Sequence, residues 1–163
     1  EKILRIMKTE GNLPQDRESV FWLNIKNIPP ASNKPNAMEI AIKTRIKLFW
    51  RPEAISKKSG ELTEMRMEIS ANANGLTVHN PTPYYITLAW LSKNAKTMLP
   101  GFDSLMIAPF ATATASTGDY HGSYYSIGYI DDYGALKKVD VQCTGTAQCK
   151  LTERKIDKDA KAR

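Results

Sequence analysis

A chain of 163 residues, 42% hydrophobic and 9% aromatic, has material for one ordinary domain or two small ones. Its net charge of +6 favours acidic partners, but no zinc pattern, recognition-helix pattern or RNP-like aromatic motif accompanies it, which argues against nucleic acid. No run approaches the roughly 20 apolar residues of a membrane helix, and Glu1-Lys2-Ile3-Leu4 lacks the regions of a signal peptide, so secretion would have to be encoded upstream.

Helix-period stretches are scarce, while short apolar alternations punctuated by Pro, Gly and Asn recur along the chain, the pattern of an all-β sandwich. Strands are predicted over 2–7, 19–28, 37–50, 65–69, 75–79, 85–91, 97–99, 103–107, 123–129 and 138–143. The turn signal Leu13-Pro14-Gln15-Asp16 runs into the charged patch Asp16-Arg17-Glu18 and then the apolar-rich run from Val20 to Ile28, stopped by Pro29-Pro30. After a short link from Pro29 to Asn36, Met38, Ile40, Ile42, Ile46 and Leu48 share one parity, and Glu39, Lys43, Arg45 and Lys47 the other. Period two places the apolar set on one face, so the two runs read as a β-hairpin. Arg51-Pro52 marks an exit from a first domain, and the charged tail after Leu151 lacks strand alternation.

Cys143 and Cys149 are the two cysteines, with five residues between them. They can close a hairpin disulfide if their strands are directly opposed, a small loop that adds about 2 kcal/mol. A zinc site would need two more ligands, and His79 and His121 lie far off in sequence. A redox pair would more usually be spaced by two residues. A structural disulfide is the favoured reading, and it fits an oxidising compartment. Ser19, Ser123 and Ser126 have no nucleophile-elbow context and no Gly-rich phosphate loop is present, so no catalytic residue, metal or cofactor is assigned.

Several blocks together carry a resemblance. Leu13, Pro14, Asp16, Arg17, Glu18, Ser19, Phe21, Trp22, Asn24, Ile28 and Pro29, then Arg45 to Pro52, Asn80-Pro81-Thr82-Pro83-Tyr84-Tyr85 and Asp132-Tyr133-Gly134, occur in order. This resembles the periplasmic chaperones of the chaperone–usher pathway, the PapD-like pilus chaperones, and the brief link from Pro29 to Asn36 resembles their short-loop subfamily, whose partners form rods or thin fimbriae.

The resemblance implies two immunoglobulin-like β-sandwich domains: residues 1–52 as the last strands of the first, 53–151 as the second, and 152–163 as a flexible tail. Either the rest of the first domain would be supplied elsewhere or the sequence is a fragment, because half a sandwich leaves a sheet face and strand edges bare. It also implies that Met38, Ile40 and Ile42 form a strand lent to pilus subunits, that Lys47 anchors the subunit's C-terminal carboxylate, and that Glu18, Arg51 and Asp132 form an interdomain ion cluster. The cysteine pair near the end of the second domain is a family feature as well. Pilus or fimbrial subunits and an outer-membrane usher are the implied partners, with no nucleic acid and no membrane insertion, in the periplasm. Without the resemblance, the same residues read as an ordinary sandwich strand, a solvated lysine and surface charges. The competing reading is a secreted immunoglobulin-like structural or adhesive module that uses these strands only to build itself.

Overall fold

Alternating apolar side chains become strands only where a neighbouring strand takes up their backbone hydrogen bonds, and in this chain that happens in two separate places. The computed structural model describes residues 3–9, 11–30, 38, 40–145 and 148–153. The chain divides into two units, Glu1–Ser56 and Lys57–Arg163.

In the first unit, β1 (Ser19–Asn27) pairs antiparallel with β2 (Ile42–Trp50), Ser19 lying opposite Trp50 and Asn27 opposite Ile42. This register gathers Phe21, Leu23, Ile25, Ile42, Ile46, Leu48 and Trp50 on one face, and Trp22, Lys26, Lys43, Arg45 and Lys47 on the other. Among the described residues no second sheet covers the apolar face, so Phe21, Ile25, Ile42 and Ile46 stay exposed. Of the strand expected over 2–7, the described residues 3–7 join no ladder. Most of the link before β2 lies outside the described residues. Past β2 the buried Pro52 leads into a 3-10 turn, Glu53–Ile55.

The second unit is a two-layer sandwich. One sheet orders β3 (Glu68–Asn72), β4 (Gly75–His79) and β7 (Thr112–Ala115). The other contains β5 (Ile86–Ser92), β6 (Leu105–Ile107), β8 (Tyr124–Ile130), β9 (Leu136–Gln142) and β10 (Lys150–Glu153), in the order β10-β9-β8-β5-β6. Ile69, Leu76 and Val78 from the first sheet meet Leu88, Tyr125, Ile127, Val139 and Val141 from the second in one core. Strict alternation would put Leu88 and Leu91 on opposite faces. A register shift between Leu88 and Trp90 lets both be buried.

Asn80 holds the approach to β5. Its fully buried amide donates to the carbonyls of Tyr84 at 2.7 Å and Ala108 at 3.0 Å. Its oxygen accepts from the Thr82 amide at 3.0 Å and hydroxyl at 2.7 Å. The Asn-Pro-Thr-Pro block is thus a hydrogen-bonded turn that satisfies a buried side chain in full. Cys143 and Cys149 form a disulfide, Cα to Cα 4.2 Å. The Cys149 amide also donates to the Ile69 carbonyl at 2.6 Å, which ties the lead into β10 to the opposite sheet.

Four segments depart from the sequence expectation. Residues 97–99 form a turn with one isolated bridge, between Ser92 and Met98, because Asn94 takes the local amides with its side chain. Residues 63–66 coil as a 3-10 turn, Thr63–Arg66, so the strand expected from 65 begins only at Glu68. β7 went unpredicted because Thr-Ala-Thr-Ala offers no large apolar side chain, and its place comes from pairing with β4. β10 carries the expected tail boundary past Leu151: Thr152 and Glu153 pair with Asp140 and Val139 of β9, and the residues after them lie outside the described set.

Two outcomes follow from this core. Burial, together with the charges of Glu64, Glu153 and Asp131, pushes the Tyr129 phenol up to about 12. The folded protein therefore holds that proton more tightly than the unfolded chain, whose phenol titrates near about 10, and the associated stability is complete below about pH 10 and lost as pH rises through about 12. Calorimetry should show the melting temperature falling across that window, with a shallower fall in Tyr129→Phe. Gly75 opens β4 at φ 129°, where an added Cβ would drive into the Ala115 carbonyl oxygen. Gly75→Ala should lower stability by about 2 kcal/mol or more, read as an earlier urea midpoint.

Candidate functional site

β2 carries the exposed apolar row. Met38 is 85% exposed, Ile40 66% and Ile42 62%. Met38 and Ile40 precede the ladder, and among the described residues β2 pairs with β1 alone, so its other edge offers unmatched backbone donors and acceptors. An apolar strand edge of this kind can take up another chain by strand addition.

Lys47 lies on the opposite parity, facing Trp22 in the register. The residue is half-buried and its ammonium lies 5.7 Å from the centre of the Trp22 ring, while the Arg45 guanidinium lies over the same ring at 4.0 Å. The two cations thus gather around one aromatic ring, and together they can bind an anion. A groove of about 560 Å³ opens on this unit, lined by Met7, Lys8, Phe21, Trp22, Leu48 and Trp50 among others, with the Lys8 ammonium 4.4 Å from the Trp50 ring centre. None of Met38, Ile40, Ile42 or Lys47 lines it.

The charged patch before β1 splits in two. Asp16 and Arg17 pair with each other at the surface at 2.7 Å, and the hydrogen bond from Arg17 holds the Asp16 carboxyl below its usual range. Glu18 turns inward instead. It is 4% exposed and accepts from the Arg51 Nε at 2.7 Å. The pairing of Ser19 with Trp50 explains why: Glu18 and Arg51 are the next residues outward at the same end of the ladder.

Asp132 belongs to the second unit, in the turn between β8 and β9. There the neighbouring Asp131 accepts from the amides of Tyr133 at 3.0 Å and Ala135 at 2.8 Å. Asp132 accepts from Lys57 at 3.3 Å, and the same ammonium lies 2.8 Å from Glu64 and 4.5 Å from the centre of the Tyr84 ring. The structure thus pairs Glu18 with Arg51 and sets Lys57, which the sequence reading did not single out, against Asp132. Two adjacent lysines, Lys57 and Lys58, carry no local sign of which one is buried. The spacing of Glu64, seven residues on, is the one available hint. Among the described residues no three His, Cys, Asp or Glu side chains gather as a metal site requires.

Comparison with known proteins decides the family. Residues 1–56 match the profile of the pili and flagellar-assembly chaperone PapD N-terminal domain, and residues 62–140 match the pili assembly chaperone PapD C-terminal domain. The chain belongs to the PapD-like pilus-assembly chaperones. It is 47% identical over 153 residues to the fimbrial chaperone YbgP of Escherichia coli K12, covering 91% of this chain and 62% of YbgP. It is 38% identical over 146 residues to the Escherichia coli chaperone protein PapD, covering 89% of this chain and 60% of PapD. The chain therefore spans about three-fifths of these relatives. Among solved structures it superposes on the Salmonella enterica SafA pilin–SafB chaperone complex with TM-score 0.64 and 28% identity, over 89% of this chain and 64% of that one. The Escherichia coli chaperone DraB gives TM-score 0.64 and 30% identity over 82% of this chain and 64% of DraB. The all-β immunoglobulin-like class expected from the sequence is the observed one, and the PapD-like family carries the same sandwich.

Proposed function

We propose that the protein is a periplasmic chaperone that holds pilus or fimbrial subunits by strand donation and passes them to an outer-membrane usher, without enzymatic turnover. One observation carries this reading: Met38, Ile40 and Ile42 form an exposed apolar row leading into β2, whose outer edge is unmatched among the described residues. Donor-strand complementation of pilins is an established form of strand addition, in which main-chain hydrogen bonds supply direction and alternate side chains fill pockets. Burying each of the three side chains is worth about 1.5–3 kcal/mol, so the row supplies about 5–9 kcal/mol before ordering costs. The polar parity, Lys43 among it, disfavours self-pairing of the edge.

Lys47 anchors the subunit's C-terminal carboxylate in this reading, with Arg45 beside the same aromatic ring as a second cation. Glu18, Arg51 and Asp132 set the angle between the domains. Desolvation of the inward-turned Glu18–Arg51 pair offsets most of its attraction, so the cluster acts on geometry more than on stability.

Co-expression of the full-length protein with a pilin lacking its last strand should give a soluble one-to-one complex. A stable monomer that leaves the pilin aggregating would instead support an inert structural module. Lys47→Ala should weaken capture by about 30-fold or more while the fold is kept, since losing the partner of a shielded carboxylate costs about 2–5 kcal/mol. Amidating the subunit's C-terminus should reproduce that loss and add nothing to the variant. Amidation that leaves wild-type capture unchanged would remove Lys47 from the anchor.

A further inference from the structure

β1 and β2 contain no acidic residue, and their four cations, Lys26, Lys43, Arg45 and Lys47, all fall on one face of the ladder. Lys26 stands directly opposite Lys43, a like-charge pairing that works against the hairpin. A row of cations without counter-charge in its own strands suits an anion that arrives from outside them. At one end of the row an aromatic ring gathers two of the four. Trp22 stands opposite Lys47, and Asn24 opposite Arg45. The Trp22 indole is 48% exposed, with the Arg45 guanidinium 4.0 Å and the Lys47 ammonium 5.7 Å from its centre. Attraction to the ring restricts two long side chains in advance, so less freedom is lost when they close on a ligand. Residues two apart on one face of a strand stand about 6.7 Å apart. Two charge-assisted hydrogen bonds of about 2.8 Å, reaching the two oxygens of one carboxylate from opposite sides, span a similar distance.

We propose that Arg45 is a second ligand of the subunit's terminal carboxylate: Lys47 and Arg45 each take one oxygen, and Trp22 is the positioning residue that aligns them. This rests on the reading of Lys47 as the carboxylate anchor, and it adds to that anchor a ligand and an aligning ring. Arginine carries five N–H donors in a planar fork, so contact with the indole leaves donors for an oxygen as well. A carboxamide in the same place offers one acceptor and turns an NH2 group toward a cation. The clamp therefore selects for a free carboxylate.

The experiment measures, on the full-length protein at physiological ionic strength, the affinity for a subunit with a free C-terminus and for the same subunit amidated there. The ratio of the two isolates the carboxylate from every other contact. Arg45→Gln should lower that ratio about tenfold or more, the range of a lost hydrogen bond to a charged group. Trp22→Leu should lower it about two- to fivefold, as expected for exposed cation–π contacts, and Trp22→Phe should restore part of it. Lys43→Gln removes the same charge from the same face, one pair further along the register, and should leave the ratio within about twofold because screening weakens a charge at that range. Thermal midpoints near wild type would show that the variants keep the fold, and a purely structural role for Trp22 would lower both affinities equally. A large wild-type ratio that Arg45→Gln leaves unchanged overturns the second ligand and leaves Lys47 as the anchor. A ratio that Lys43→Gln lowers as far as Arg45→Gln also overturns it, since the attraction is then diffuse. Equal loss of both affinities in Trp22→Leu removes the aligning ring. A wild-type ratio near one removes the carboxylate anchor itself, and the clamp with it.

Discussion

A two-stranded ribbon cannot bury its own apolar face, and the rest of the first unit follows from that constraint. The register of β1 with β2 sends Phe21, Leu23, Ile25, Ile42, Ile46, Leu48 and Trp50 to one side. Side chains of that size gain about 1.5–3 kcal/mol each when removed from water, so the face and the edge beside it strongly favour a partner layer. The second unit shows the satisfied version of the same chemistry: two sheets close over Leu76, Val78, Ile127, Val139 and Val141, all at most 1% exposed. One unit closes its own core, while the apolar face of the other is left open among the described residues.

Charge follows the same division. The cations of β2 sit on the parity opposite the apolar row, stacked on Trp22 and available to an anion. Elsewhere charges are drawn inward in pairs, Glu18 with Arg51 and Lys57 with Glu64, each carboxylate less than one-tenth exposed. Buried ion pairs contribute little net stability because desolvation offsets their attraction. Their effect is to fix where element ends lie: Glu18 and Arg51 clamp the end of the hairpin ladder, and Lys57 and Glu64 clamp the start of the second unit.

Strands with large alternating apolar residues were legible in the sequence, because period two and core-facing parity are one fact seen twice. β4, β8 and β9 emerged within a residue or two of their observed ends. β7 was not legible, since Thr112 to Ala115 hold their place through the backbone ladder to β4 and only small side chains meet the core. The site divided in a similar way. The exposed row and Lys47 could be named from alternation and motif, and the inward turn of Glu18 follows from its place one residue before the ladder. Lys57 could not be found, because its burial depends on Glu64, Tyr84 and Asp132 meeting across long sequence separations, which no local pattern records.

Amide hydrogen exchange over residues 38–47, with and without a subunit lacking its own last strand, tests the central claim most directly. The account predicts rapid exchange at Met38, Ile40 and Ala41 in the free protein, which lie outside the ladder, and new protection there on binding as the strand extends back from Ile42 through Ile40 to Met38. Complex formation with exchange over 38–42 unchanged would contradict it.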